Sequence, residues 1–218
     1  MFSPVALTPE VKATVKELGN NVAYLAALDI EHHIFLSDWH SAYPNAHVIG
    51  PEGLPEKRAA DKSITYNVPF TTVFTAKSKS STTVSEEFDR DFEYEYLDAH
   101  PNKEIVFYYK PEKTLIEADY LFNLPATEQY SRTGEPANRG FITNLFVGLN
   151  NTAGSAIWQK RFIWYAISSK NRAGFDASTK RINKWDFNRI IPCHGDVIEG
   201  DGKAIFRKVF EWHLNGQN

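Results

Sequence analysis

Between residues 98 and 125 the chain reads DAHPNKEIVFYYKPEKTLIEADYLFNLP, and no other stretch restricts its fold as tightly. Two short apolar runs, IVFYY and TLI, are separated by KPEK, a Pro-bearing turn. The pattern predicts strands over 105–109 and 114–118 joined as a hairpin. A lone hairpin is marginal in water, so further layers must cover its apolar faces. Its polar ends are what a bare hairpin does not require: His100 stands before the first strand and Asp119 after the second.

The rest of the chain supplies layers. LTPEVKATVKELG (7–19) predicts a helix with Thr8 as cap, Pro9 in the first turn, Val11, Val15 and Leu18 on one face, and Gly19 at its end. NVAYLAAL (21–28) predicts a buried strand, IFLSDWHSAYP a helix up to Pro44, and AHVIGP (46–51) a second strand. Strand, helix, strand is the pattern of an α/β layer. The polar segment 75–91 reads as a surface loop, with Glu86, Glu87, Asp89 and Asp91 as a solvated face. FEYEYLD alternates as a half-exposed strand does. Residues 126–157 read as loops around FITNLFVGL, which is apolar enough for core and, less simply, for the wall of a pocket. Helices are expected over 159–170 and 176–185, then a strand over 188–192. A closing helix has Asp201 as cap and Ile205, Phe206, Val209 and Phe210 as its apolar face. No repeat or linker divides the 218 residues, which predicts one domain.

Composition excludes several classes. A net charge of −3, with no stripe of Lys and Arg interleaved with aromatics, gives no footprint for nucleic acid. The single cysteine, Cys193, forbids an internal disulfide and a Cys-rich zinc module. MFSPVALTPEV lacks the basic start and apolar stretch of a signal peptide, and no run is long enough to span a membrane. There is no P-loop and no dinucleotide fingerprint. The triplet Asn150-Asn151-Thr152 matches a glycosylation sequon, a pattern that arises often by chance. The expectation is a soluble cytoplasmic protein that acts on a small molecule, with no nucleic-acid or membrane partner; oligomeric state is not legible.

Three expected strands begin or end at groups able to bind metal: AALDIEHH at His32 and His33, the hairpin at His100 and Asp119, and IIPCH at His194. In open α/β structures ligands collect at the carboxyl ends of strands. Imidazole and carboxylate suit zinc, iron or manganese. Cys193 beside His194 is weaker as a nucleophile and base, because neighbours in a strand point to opposite faces. His40, His47 and His213 have no place in this pattern, and His213 reads as the edge of the last helix.

These residues carry a resemblance. AHPNKEIVFYYKPEKTLIEADYLFNLP is similar to the metallo-β-lactamase superfamily's segment written roughly G-H-T-P-G-S-I-V-F, a hairpin, then a strand ending in G-D. RIIPCHGDVIEG resembles its last motif, and the likeness covers most of 20–214. The resemblance implies an α/β fold, the four-layer αβ/βα sandwich, with its opening strands short or missing because Met1 stands almost at the first helix. It implies His100 as a metal histidine, Asp119 as the aspartate that bridges two metals, and His194 as the final ligand. The family's H-x-H-x-D-H is incomplete: with its last His on His33, Leu28, Ile30 and His32 stand where His, His and Asp would be. EHHIFLSDWHSAYPNAHVIGPEGLPEKR resembles, more narrowly, an uncharacterised branch of the superfamily with the same incomplete motif.

The implied activity is that of a metal-dependent hydrolase using a metal-bound hydroxide on an ester, lactone, thioester or phosphoester-type small molecule. Two absent ligands favour one ion over two, with zinc expected and iron or manganese as the other choices. Asp119 would anchor the ion, His33, His100 and His194 would be neutral ligands, and His32 a further ligand or a proton shuttle. Two other classes stay open. One is an iron-dependent oxidoreductase, with Glu31 as an extra ligand if the register slips by two. The other is a catalytically inactive fold that serves as a binding or scaffold module.

Overall fold

Short strands and short helices alternate through the computed structural model, which describes residues 1–216 and gathers into two units, Met1–Glu86 and the chain from Glu87 onward. In the first unit α1 spans Pro9–Glu17, and the Thr8 hydroxyl caps it by accepting the Val11 N–H at 3.3 Å. Val15 buries as expected, but Leu18 is 82% exposed: the helix has ended at Glu17, and the turn that follows carries Leu18 off the apolar face. There follow β1 (Tyr24–Ala26), α2 (Leu36–Ala42), β2 (His47–Pro51), α3 (Leu54–Ala60) and β3 (Thr72–Phe74). The strands make a parallel sheet ordered β1-β2-β3. Parallel strands are covered on both faces, and LA, VIGP and F74 are accordingly buried. The first residues add a bridge between Phe2 and Ala26 beside β1. The core joins Leu25, Ala27, Leu36, Trp39, Val48 and Leu54, with the indole N–H of Trp39 donating to the Val5 carbonyl at 2.7 Å. The sequence reading gave no place to α3 and β3, whose short spans show too little periodicity to stand out.

The second unit opens with α4 (Glu86–Asp91), which ends the polar stretch expected to be loop. Phe88, the one aromatic there, is buried and stacks on Phe92 at 4.4 Å, which draws the segment onto the sheet. Next come β4 (Phe92–Leu97), β5 (Glu104–Tyr109), β6 (Thr114–Glu117), α5 (Thr127–Tyr130), α6 (Phe141–Leu149) and α7 (Ile157–Phe162). α7 runs on into a π-helical turn, Ile163–Ile167. The chain closes with α8 (Arg172–Ile182), β7 (Arg189–Pro192), α9 (Gly202–Val209) and α10 (Glu211–Asn215). The sheet is ordered β4-β5-β6-β7; β4, β5 and β6 pair antiparallel, and β7 joins β6 parallel.

The helices of this unit cover an aromatic core of Tyr120, Phe175, Phe187, Phe206 and Phe210. Glu95 on β4 clamps α8, accepting from the Ser178 hydroxyl at 2.6 Å and from the Arg181 guanidinium. Three expectations are corrected here. FITNLFVGL forms α6 but is not core, since none of its residues is buried. His213 is not at an edge: it is 2% exposed, with its Nδ1 2.7 Å from Asp176 and its ring against Trp164 and Phe175. Asp201 stands at the start of α9, yet its side chain makes no capping bond. Among the described residues no helix is long and apolar enough to cross a membrane.

Candidate metal centre

Strand register brings two of the expected residues together. β6 and β7 are parallel neighbours, and Glu117 pairs with Pro192. Two residues beyond each of those, Asp119 and His194 emerge side by side at the carboxyl ends, where parallel strands present their ligands. The pairing continues past the strands. The Cys193 N–H donates to the Glu117 carbonyl at 3.1 Å, and the Asn123 N–H to the His194 carbonyl at 3.1 Å. The Asp196 N–H returns to the Asn123 carbonyl, also at 3.1 Å. His194 Nε2 then lies 3.2 Å from Asp119 Oδ1. The imidazole is stacked on Phe122, centroids 5.6 Å apart and planes 11° from parallel, which sets the direction of Nε2.

Two buried carboxylates hold the turn that carries Asp119. Glu104, wholly buried, accepts the N–H groups of Ala118 at 2.7 Å and Asp119 at 2.9 Å, one on each oxygen. Glu117 Oε2 accepts those of Tyr120 and Leu121, both at 3.0 Å. Four consecutive backbone donors are thereby satisfied, as burial requires. Burial first, and the Glu104 charge second, push the Glu117 carboxyl well above the usual carboxylate range.

His100 lies in the turn that precedes β5. It is 2% exposed, its Nδ1 accepts the Asn102 backbone N–H at 3.2 Å, and its ring stacks toward Phe175 in the core. Asn102 reaches Asp119, its Nδ2 donating to Oδ2 at 2.6 Å. The chain turns through 98–103 before β5 begins at Glu104, and this turn rolls His100 inward and Asn102 onto the acid.

The two candidate ligands of the first unit, His32 and His33, divide by tautomer. Asp29, wholly buried, accepts the N–H groups of Glu31 and His32 on Oδ1, at 2.8 and 2.7 Å. Its Oδ2 lies 2.8 Å from His32 Nδ1. A carboxylate only accepts, so His32 carries a proton on Nδ1, and the neutral ring then has its lone pair on Nε2, the form of a metal ligand with a carboxylate behind it. His33 is the reverse. Arg58, 1% exposed, donates through Nη1 to His33 Nδ1 at 3.0 Å, to the His33 carbonyl at 3.0 Å, and through Nη2 to Ser37 at 2.6 Å. A guanidinium only donates, so the neutral ring has its proton on Nε2 and no lone pair left for a metal. Burial, then the charges of Arg58 and Lys57, lower its basicity further. Glu31, the alternative hard ligand, is ion-paired with Lys57 at 2.8 Å.

Asn102, Asp29, Glu104 and Glu117 were missed from the sequence. Asp29 had a signal, an acid three residues before a histidine at the end of an apolar run. Glu104 had another, a lone acid at the head of IVFYY.

No family model matches the chain, and no curated protein matches its sequence. Solved structures do match in fold. A metallo-beta-lactamase from Pontibacter korlensis is 14% identical with a TM-score of 0.51, covering 95% of this chain and 77% of that one. The DIM-1 metallo-beta-lactamase exposed to ceftazidime is 13% identical at 0.51, with coverage of 95% and 74%. The flavodiiron protein from Giardia intestinalis is 12% identical at 0.55; the match takes in 97% of this chain and 48% of that one. Identity this low shows a shared fold.

Proposed function

With the metallo-β-lactamase fold as premise, we propose that this chain is a metal-dependent hydrolase whose ion is held by Asp119 and His194. The observation that supports it most is the 3.2 Å approach of His194 Nε2 to Asp119 Oδ1 at the ends of two parallel strands. Nitrogen and carboxylate oxygen form a donor set that suits zinc, iron or manganese. The pair is open to solvent, the His194 side chain being 45% exposed and that of Asp119 16%. His32 is proposed as the further ligand on the sequence resemblance and on its tautomer.

A bound ion of this kind would polarise a carbonyl or phosphoryl oxygen and lower the pKa of a water toward neutrality. The chain's own groups prepare for that. Asn102 occupies Asp119 Oδ2 and so directs Oδ1 as the donor. Phe122 holds the His194 ring in plane. Asp29 keeps the His32 lone pair on Nε2, and it would stabilise the imidazolium if His32 took a proton during turnover. The proposed substrates are small esters, lactones, thioesters or phosphoesters. The binding-module reading has one observation in its favour, the commitment of His33 to Arg58.

Metal content by mass spectrometry tests the proposal, on protein prepared without chelator or histidine tag. About one equivalent is expected in the parent, falling at least tenfold in Asp119→Ala and in His194→Ala. A parent that takes up none after addition of zinc, manganese and ferrous iron would overturn it.

A further inference from the structure

α6 is nine residues without a charge, FITNLFVGL, and it lies open to solvent. Phe141 is 85% exposed, Ile142 80%, Leu145 54% and Phe146 46%. Spaced three and four apart, these four line one side of the helix as a continuous apolar strip. Soluble proteins seldom leave such a strip uncovered without a use for it. The helix is moored at its carboxyl end. Asn150 donates its backbone N–H (2.9 Å) and its side-chain amide (3.2 Å) to the Phe146 carbonyl, and its own carbonyl accepts the Leu124 N–H at 3.2 Å. The Asn151 amide reaches the carbonyls of Val147 and Gly148. At the other end Gly140 offers no side-chain cap.

The mooring sets where the strip begins. Phe146 meets Phe122 edge to face at 6.2 Å, and Phe122 is the ring stacked on His194. Ring contacts through the buried Phe122 therefore link a proposed metal ligand to Phe146, where the exposed strip of Leu145, Ile142 and Phe141 begins. We propose that this strip is the binding surface for the alkyl or acyl chain of the substrate, so that the bond cleaved at Asp119 and His194 is the ester or thioester of an apolar chain. This rests on the function proposed above. Continuity with the site is the ground for choosing a substrate chain over a protein. Four side chains are also too little surface for a stable pair of subunits, which buries about 800 Å² on each partner. A chain lying along the helix meets apolar groups for the whole of its length and leaves no buried charge unpaired.

The test uses dodecanoate as probe and acetate as its short counterpart, titrated by calorimetry into the full chain and into an Ile142→Ser/Leu145→Ser variant. Both positions are more than half exposed, so the variant keeps the fold, which circular dichroism checks. Dodecanoate is expected to bind the parent and to lose at least tenfold in the variant, with acetate weak in both and metal content the same in both. Equal dodecanoate binding in the two proteins, or none in the parent, overturns the proposal. So does sedimentation showing a parent dimer that the variant splits, which would give the strip to a second copy. If the parent holds no metal and dodecanoate binding still falls in the variant, the apolar strip stands and the hydrolase reading alone is lost.

Discussion

Gly195 shows how narrow the tolerance is around His194. Its φ of +122° lies where residues with a Cβ are strained, and a Cβ there would run into the Asn123 carbonyl. Gly195→Ala is expected to destabilise the second unit by about 1–3 kcal/mol, read from urea denaturation, and to reduce metal uptake by moving His194. The two buried glutamates should respond differently. Glu117 has its pKa raised in the folded chain, so it contributes best when protonated, and stability is lost as pH rises above the unfolded value near 4.5. Glu117→Gln keeps an acceptor for Tyr120 and Leu121 without that penalty. The variant is expected to match the parent near pH 4.5 and exceed it increasingly toward pH 8, by denaturation midpoints. Glu104→Gln loses an acceptor for one of two buried N–H groups and should cost about 1–3 kcal/mol.

At the scale of elements, packing on the sheet decides what local pattern leaves open. α8 is tied to β4 by Glu95 through Arg181 and Ser178. Glu95→Ala removes a charge-assisted pair from a mostly buried position and should lower stability by about 2 kcal/mol in chemical denaturation. The hairpin of β5 and β6 was legible because two short apolar runs, a Pro-bearing turn and polar ends agree over about 20 residues. α6 shows the converse. Apolar periodicity says which side of a helix would bury, but whether anything covers it is a property of its neighbours. Phe88 likewise became a packing residue because Phe92 and Phe107 were there to receive it.

At the scale of the molecule, both units hide neutral histidines. Burial leads the lowering of pKa at His33, His40 and His213, with Asp176 opposing it only at His213. A folded value below the unfolded value near 6.5 means the unfolded chain binds more protons in that window. The histidines' contribution to stability should therefore be full above about pH 7 and fall as pH drops toward 5, opposite in sign to that of Glu117, by urea midpoints across that range. His213→Gln should flatten the slope in proportion to the one histidine removed.

The sequence by itself determined the alternation of strands and helices, the fold it resembles, and Asp119 and His194 as candidate ligands, because each of these is written in contiguous residues. Only the tertiary structure decided that Asn102 donates to Asp119, that Arg58 donates to Nδ1 of His33 while Asp29 accepts from Nδ1 of His32, and that Glu104 and Glu117 hold the turn between them. Each of these depends on which partner a polar group finds when it is buried. Asp29 and Glu117 find their partners three or four residues on, but those of Asn102, Glu104 and Arg58 lie 14 to 25 residues away, set by register and packing that local composition does not encode.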